Sequence, residues 1–556
     1  MTAMGRLRAI VVIPARDEAE HIERCLRALA AQRGLRPAVA FETILVLDRC
    51  TDATETVART TATATGLALH VKRSPGAGVG AARRHGMDLA CDWLSEIEPD
   101  GLIACTDADS TVAPDWLATQ LALVDAGADA IGGRIELDPI DAAALPTAAL
   151  LRREQRAGVR LTAVLAEDPS AEHHFFSGAS LGVTARAYRA VGGIDPVAAL
   201  EDEGFGRRLT AGGWRIVRAD AVTVRTSART RGRAPRGLAR DLQLGDWLAR
   251  RRYDGRAYSA QRLLEAKGDT TISVVVPARD CAATVGGVLR TTVMPFVELG
   301  LVDDVLVVDG RSTDATLVRA AHAGARAVAQ DDLLPEHGPA QGKGDAMWRG
   351  LHATTGDIVA FLDADTEDPD PCHLLGLLGP LLDDQHIHLV KGAFARPFRD
   401  GETVRDAEGG RVTELMARPL LNLHVPELAG FEQPLAGETA ARRTLLEALP
   451  FPVGYGIEIA LLIDALRHVG LDGLAEAQLG TRQNRHQALR DLGAMAFAVL
   501  CAVQARVAPG GDAVPAGLVQ PWDGGAVRDV PVLERPPLRQ LAAAQEARNL
   551  GIVGAA

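Results

Sequence analysis

Paired cysteines are missing from this chain. Its 556 residues hold seven Cys, all scattered singly, with no Cys-x-x-Cys. That excludes a zinc or disulfide framework and fits a reducing compartment, so a cytoplasmic location is expected. Positive charge is also in deficit. Lys and Arg total 60 against 72 Asp and Glu, a net charge of -12. A broad nucleic-acid-binding surface is therefore disfavoured. Long apolar runs are absent too. The longest uncharged helical-looking run, Gly493–Ala505, is too short to span a bilayer. The first residues, Met1–Arg8, lack the apolar core and cleavage site of a signal peptide. The expectation is a protein without an integral membrane segment.

What is present is a long internal repeat. IVVIPARD (Ile10–Asp17) returns as ISVVVPARD (Ile272–Asp280), LVLDRCTDAT (Leu45–Thr54) as LVVDGRSTDAT (Leu306–Thr316), and CTDADS (Cys105–Ser110) as FLDADT (Phe361–Thr366). Spacings agree: Pro14 to Asp107 is 93 residues and Pro277 to Asp363 is 86. Asp109 to Asp202 and Asp365 to Glu458 are both 93, which equates Asp202 with Glu458. Each copy opens on a β-branched run, continues with a helical pattern (Ile22, Cys25, Leu26, Leu29) and returns to an apolar strand. Alternating strands and helices predict an α/β fold with a mostly parallel sheet covered on both faces. The domains are expected at 1–225 and 270–508, joined by a linker at 226–269 whose Arg-dense first part, Arg225–Arg240, is read as a solvated hinge in preference to a phosphate-facing loop of the first domain. A tail at 509–556 is expected to be irregular until a helix near Leu538–Asn549.

Ligands of such sheets bind at the carboxyl ends of the strands. Pro14, Asp48 and Asp107 lie there in copy one, Pro277, Asp309 and Asp363 in copy two. Asp363-Ala364-Asp365 places two carboxylates one residue apart, a hard oxygen set for Mg²⁺ or Mn²⁺ that would bridge a diphosphate. Its recurrence as Asp107-Ala108-Asp109 raises it above a chance turn. Asp309 could face the NH of a uracil, with Ser312 or Thr313 capping the next helix. Lys343, flanked by glycines, can meet a phosphate. Gly409-Gly410-Arg411-Val412-Thr413 combines exposed backbone NH groups, a bidentate fork and a hydroxyl, which suit a phosphate or carboxylate.

On these residues the second half resembles the glucosyl-3-phosphoglycerate synthases, retaining glycosyltransferases of GT-A fold. The resembling segments are VVVPARD, VVDGRSTDAT, QGKGDAMW, GDIVAFLDAD, GGRVTELMARPLL, QPLAGE, PFPVGYGIEIALLID and LGTRQNRH, with ERPPL in the tail. The first half is similar to family-2 glycosyltransferases in general, through PARDE, DAD, Ser177–Ser180 and Glu201-Asp202. The whole is thus expected as two tandem GT-A-type domains. The resemblance implies transfer of glucose from a nucleotide diphosphate sugar, typically UDP-glucose, to the 2-hydroxyl of 3-phosphoglycerate. It puts Pro277, Ala278, Asp309, Gly310, Lys343 and Asp363 at the nucleotide sugar, Asp365 at the metal and Glu458 beside the reacting sugar. Leu435 offers a backbone carbonyl near the acceptor hydroxyl; Gly410, Arg411, Val412, Thr413 and Asn484 hold the acceptor. In the first half it implies a metal role for Asp109 and a general base in Asp202, with Glu201 and Glu203 as solvated neighbours. The chain departs from the family in Asp280-Cys281 for Asn-Glu, in Ala436 for Ser, and in the order Asn484-Arg485-His486 where the family has His-x-Asn, so that either His486 reaches the metal after a small backbone shift, which is the expectation, or Asn484 supplies a weaker oxygen ligand. A homodimer is a further expectation. The competing reading keeps the transfer chemistry but gives it another small phosphorylated or lipid-phosphate acceptor, with the first half a non-catalytic binding module.

Overall fold

The computed structural model describes residues 6–36, 39–95, 97–98, 100–232, 236–396, 398–400, 403–405, 410–482, 488–508 and 517–541. The chain divides into two compact units, Met1–Ala249 and Arg250–Ala556.

Unit 1 is built on one eight-stranded sheet. Its strands are β1 (Arg6–Ala15), β2 (Val39–Leu47), β3 (Leu69–Arg73), β4 (Leu102–Thr106), β5 (Ser110–Val112), β6 (Ala130–Leu137), β7 (Ser180–Thr184) and β8 (Ile216–Thr226). The order is β3-β2-β1-β4-β7-β6-β8-β5. The central strands are β-branched and buried on both faces, with Ile10 to Ile13 and Ile44 to Leu47 essentially inaccessible. Separate apolar clusters cover the two faces. Such a strand cannot alternate polar and apolar residues, which is why the runs read as continuous.

Unit 2 repeats the plan with β9 (Arg252–Asp254), β10 (Ile272–Ala278), β11 (Asp304–Asp309), β12 (Arg326–Ala329), β13 (Ile358–Phe361), β14 (Leu389–Ala395), β15 (Thr439–Arg442) and β16 (Leu474–Thr481). The order is β12-β11-β10-β13-β15-β14-β16-β9. Seven strands follow the path of unit 1, so the α/β, mostly parallel expectation holds in both halves. The eighth differs: β5 runs antiparallel to β8, β9 parallel to β16.

The common register aligns the copies residue by residue. Val12 pairs with Cys105 and Val275 with Phe361. Cys105 pairs with Leu181, and Phe361 with Thr439. Leu181 then pairs with Gly132, and Thr439 with Lys391. Gly132 pairs with Arg218, and Lys391 with Glu476. Gly132 and Lys391 are therefore counterparts, as are Arg218 and Glu476.

The segment 226–269, expected as a hinge, is folded. Helix Leu238–Arg250 packs against Ala149 at Gly245, where an added Cβ would lie 3.0 Å from the Ala149 Cβ. β9 extends the second sheet, and helix Ala260–Lys267 is capped by Ser259. The tail is also structured where described. Glu534–Arg535 pairs with Phe451–Pro452, and the Arg535 Nε donates to buried Asp345 at 2.7 Å. Trp348 Nε1 donates to the Pro536 carbonyl at 2.9 Å. These long-range partners, invisible in local composition, order a Gly- and Pro-rich stretch. Residues 542–549 of the expected last helix lie outside the described residues. Among the described residues no helix is long and apolar enough to cross a membrane.

Candidate active sites

In unit 2 the strand ends converge as expected. Asp309 closes β11, 6% exposed. Its Oδ2 accepts from the Ser312 N–H at 3.1 Å, while its Oδ1 is buried with no hydrogen-bond partner among the described residues. A buried carboxylate oxygen left this way favours an incoming N–H donor. Arg311 holds φ 62°, a left-handed bend that turns the loop, and Gly310 N donates to the Ala278 carbonyl at 2.7 Å. Pro277 and Ala278 are buried at the end of β10.

Past β13, Asp363 and Asp365 sit among cations. Lys343 opens helix Lys343–His352 after Gly342 at φ 95°. Its Nζ lies 2.6 Å from Asp363 Oδ1 and 2.8 Å from Glu458 Oε1. Arg482, fully buried just past β16, sends Nη2 to within 3.2 Å of both Asp363 Oδ2 and Asp365 Oδ1, and Nη1 to Glu438. Burial opposes ionisation of Asp363, but Lys343 and Arg482 outweigh it and hold its carboxyl well below the usual range. Burial likewise works against the Lys343 ammonium, yet Asp363 and Glu458 leave it more basic than a free lysine. Gly437 makes the approach possible: a Cβ there would come 2.2 Å from the Asp363 carboxylate.

The acceptor segment stands alongside. Gly410 takes φ 77° and its carbonyl accepts from the Glu414 N–H at 3.0 Å, which starts the helical turn of buried Thr413. Arg411 and Val412 are half-buried. Leu435 is half-buried in the turn closed by Ala436 N on the Gln433 carbonyl at 3.0 Å. Asn484 and His486 lie outside the described residues.

Sequence reasoning missed several members. Glu438 and Arg482 were inside resembling segments but carried no role. Arg396, over the Phe394 ring at 5.1 Å, is made less basic by burial and by Arg482. Lys391 is 1% exposed, with its Nζ on Thr439 Oγ1 at 3.1 Å. In unit 1 the register replaces that Lys–Thr pair with Gly132 and Leu181. Burial pulls Lys391 down to about 8, with Glu458, Glu438 and Asp363 opposing and Lys343 assisting. The sign follows from linkage. With the folded-state pKa below the unfolded one, the unfolded chain binds more protons between about 8 and 10.5, so this group makes stability rise with pH across that window. Lys391→Met is expected to flatten that rise, by on the order of 3 kcal/mol, in denaturant titrations from pH 7 to 10.5. An unchanged pH slope would remove Lys391 as its source.

Unit 1 builds the same constellation with other side chains. Arg83, buried, takes the place of Lys343: Nη2 lies 2.6 Å from Asp107 Oδ1 and Nη1 meets Glu201 Oε1. Gly178 leaves the room, since a Cβ there would be 2.2 Å from the Arg83 guanidinium. The counterpart of Glu458 is therefore Glu201, 4% exposed. The equal 93-residue spacing pointed one residue too far, to Asp202, and Glu201 is no solvated neighbour. Asp202 begins the same helix but is held by backbone N–H groups instead of Arg83: Oδ2 accepts from N of Gly178, the residue that abuts Arg83, at 3.0 Å and Oδ1 from Glu203 N at 2.9 Å. Asp48 is held by Gly78 N at 2.9 Å and Arg49 Nε at 2.9 Å. Pro14 is buried at the end of β1. Asp109 pairs with Arg229 at 2.9 Å, and that arginine is itself forked onto Glu18 at 3.0 and 2.8 Å. Burial lifts Asp109 to about 6 despite Arg229. So one member of the Arg-rich run reaches into the site and is half-buried there, 29% exposed, instead of fully solvated.

The chain is 43% identical over 300 residues to the glucosyl-3-phosphoglycerate synthase of Mycolicibacterium smegmatis, covering 53% of this chain and 98% of that protein. It is 40% identical over 235 residues to the synthase of Petrotoga mobilis, covering 42% and 72%. The crystal structure of the Mycobacterium tuberculosis synthase in complex with Mn²⁺, UDP-glucose and phosphoglyceric acid is 44% identical, with a TM-score of 0.47, covering 51% of this chain and 95% of that one. The family model of glycosyl transferase family 2 matches residues 10–175 and again 273–431. With a site of the same plan at the strand ends of each matched stretch, the chain belongs to glycosyl transferase family 2 and is a glycosyltransferase.

Proposed function

We propose that unit 2 transfers glucose from UDP-glucose to the 2-hydroxyl of 3-phosphoglycerate. The observation that carries this reading is the Lys343–Asp363–Glu458 cluster at the strand ends, together with the Gly410–Thr413 turn. The coverage by this chain of 98% of the Mycolicibacterium smegmatis synthase supports it.

The unpartnered Asp309 Oδ1 receives the imide N–H of uracil. Lys343 is the mobile cation. An entering diphosphate competes with Asp363 and Glu458 for its ammonium, and a flexible stem lets it turn. Glu458, released from that contact, accepts from a sugar hydroxyl and orients the ring. Arg411 and Thr413 hold the anionic end of the acceptor, and the Leu435 carbonyl accepts the proton of the attacking hydroxyl as a hydrogen bond. A divalent cation fits the donors present: Asp363 and Asp365 offer hard carboxylate oxygens, and the Arg482 guanidinium already bridges both at 3.2 Å as a stand-in positive charge. When bound, such an ion offsets the charge that builds on the departing diphosphate.

Unit 1 we read as a second transferase, with its own acceptor and with Asp202 as the base. Full-length protein given UDP-glucose and 3-phosphoglycerate should yield glucosyl-3-phosphoglycerate with retained configuration, seen by NMR of the anomeric proton. Arg411→Lys should raise the acceptor KM about tenfold or more, through loss of the bidentate fork, with donor KM little changed. Equal damage to both substrates would place Arg411 outside the acceptor site; no product at all would overturn the reading.

A further inference from the structure

The arm of unit 1 between β6 and β7 carries His173, His174, half-buried Arg153 and exposed Arg160, with half-buried Arg218 on β8. His173 is 5% exposed. Its Nδ1 accepts from the Phe175 N–H at 3.1 Å, so the neutral ring carries its proton on Nε2. The Ala219 carbonyl acts on the ring, but no acceptor closes a hydrogen bond of ordinary geometry on Nε2. Arg218 pairs through Nη1 with Asp168 at 3.4 Å, while its buried Nε also lacks an acceptor. Two buried N–H donors left in this way mark a place where an acceptor belongs.

The surroundings have the same sign. Arg153, on helix Thr147–Glu167, donates to the Ile135 carbonyl at 3.1 Å and is made less basic by burial, with Glu154 opposing. His174, ring to ring with Phe175 at 4.0 Å, is pushed down to about 4 by burial and by Arg160, His173, Arg153 and Arg218. The acids on these elements are Glu154, Glu167, Asp168, Glu172 and Asp220; Glu172 Oε2 accepts from the Asp220 N–H at 2.5 Å, and the buried Asp220 Oδ1 has no hydrogen-bond partner among the described residues. The other copy reverses the charge. Arg218 occupies the register position of Glu476, which is buried, accepts from the Glu432 N–H at 2.6 Å and pairs with Arg252 at 3.2 Å. The cluster also lies close to the chemistry. From His174 the chain runs four residues to Gly178, whose N–H holds Asp202, a span of at most about 14 Å.

We propose that His173, His174, Arg153, Arg160 and Arg218 form an oxyanion subsite of unit 1, taking the phosphate or carboxylate of an acceptor whose hydroxyl reaches Asp202. The acceptor part rests on reading unit 1 as a transferase.

The test uses the full chain with ¹³C-labelled histidine rings, the two resonances assigned with His173→Gln and His174→Gln. Inorganic phosphate and, separately, acetate are titrated at constant ionic strength against a chloride control. A bound anion favours the imidazolium, so the His174 resonance should move saturably and its titration midpoint rise. Whichever of phosphate and acetate acts names the group. Arg160→Met, at an exposed position that folding tolerates, should weaken the response roughly tenfold, as should Arg153→Met. No saturable shift, a shift equal to that of chloride, or an unchanged midpoint concentration in Arg160→Met would overturn the subsite. The two readings separate: if Asp202→Asn leaves all nucleotide-sugar turnover unaltered while His174 still answers to the anion, the transferase reading of unit 1 falls and the subsite stands.

Discussion

Asp365→Ala is expected to lower kcat/KM for phosphoglycerate glucosylation by at least two orders of magnitude, roughly 3 kcal/mol of barrier. The side chain is 53% exposed and touches Arg482 at 3.2 Å. Removing it leaves Arg482 paired with Asp363 and Glu438, so the fold should survive with a loss of ~1 kcal/mol or less. The effect therefore belongs to ligand chemistry, and two readouts show it. Wild-type activity should vanish in chelator and return with Mg²⁺ or Mn²⁺. Binding of Mn²⁺, followed by paramagnetic resonance without substrate, should weaken sharply in the variant. Full activity of Asp365→Ala in the presence of chelator would dispose of the metal role altogether.

Much of this was legible in the residues because the chemistry sits at strand ends. A fully buried parallel strand reads as an unbroken β-branched run, and the residue that breaks it, Asp309 or Asp363, is the one that the proposed function gives to the ligand. The internal repeat then showed the same plan twice. What local pattern could not reveal were side chains whose meaning depends on distant partners. Arg482 looks like one more surface arginine until β16 delivers it beneath Asp363. Lys391 interrupts an apolar strand and reads as an edge; its ammonium is in fact buried beside Thr439. Arg83 escaped because unit 1 uses a guanidinium where unit 2 uses a glycine-flanked lysine. Equal spacing misled at Glu201 because insertions and deletions in the intervening segments nearly cancel, leaving a net one-residue offset that shifts the count without shifting the fold. The Gly- and Pro-rich tail misled for a related reason: Arg535 is ordered by Asp345, 190 residues away.

Neighbouring carboxylates in unit 1 should respond in opposite ways. Glu201→Gln removes one partner of a buried pair, with Arg83 3% and Glu201 4% exposed in their side chains. The stranded guanidinium keeps Asp107 at 2.6 Å but loses its second anion. Breaking such a pair costs about 3–5 kcal/mol, so this variant should unfold at clearly lower denaturant. Asp202→Asn keeps shape and one acceptor oxygen for the Gly178 N–H but sets an amide NH2 against the Glu203 N–H, so it should cost only about 1 kcal/mol. It removes basicity, and an inverting transfer needs a base to take the acceptor proton as the hydroxyl attacks. First-unit transfer should therefore be abolished with nucleotide-sugar binding intact. Glucosyl-3-phosphoglycerate synthesis should continue nearly untouched in Asp202→Asn and fail in Glu458→Gln, because each unit encloses its own strand-end cluster. The three variants are to be assayed together, by denaturant titration, by donor binding and by product formation. Loss of phosphoglycerate glucosylation in a stably folded Asp202→Asn would mean that the halves share one catalytic unit. Equal destabilisation of Glu201→Gln and Asp202→Asn would undo the assignment of Glu201 as the counterpart of Glu458.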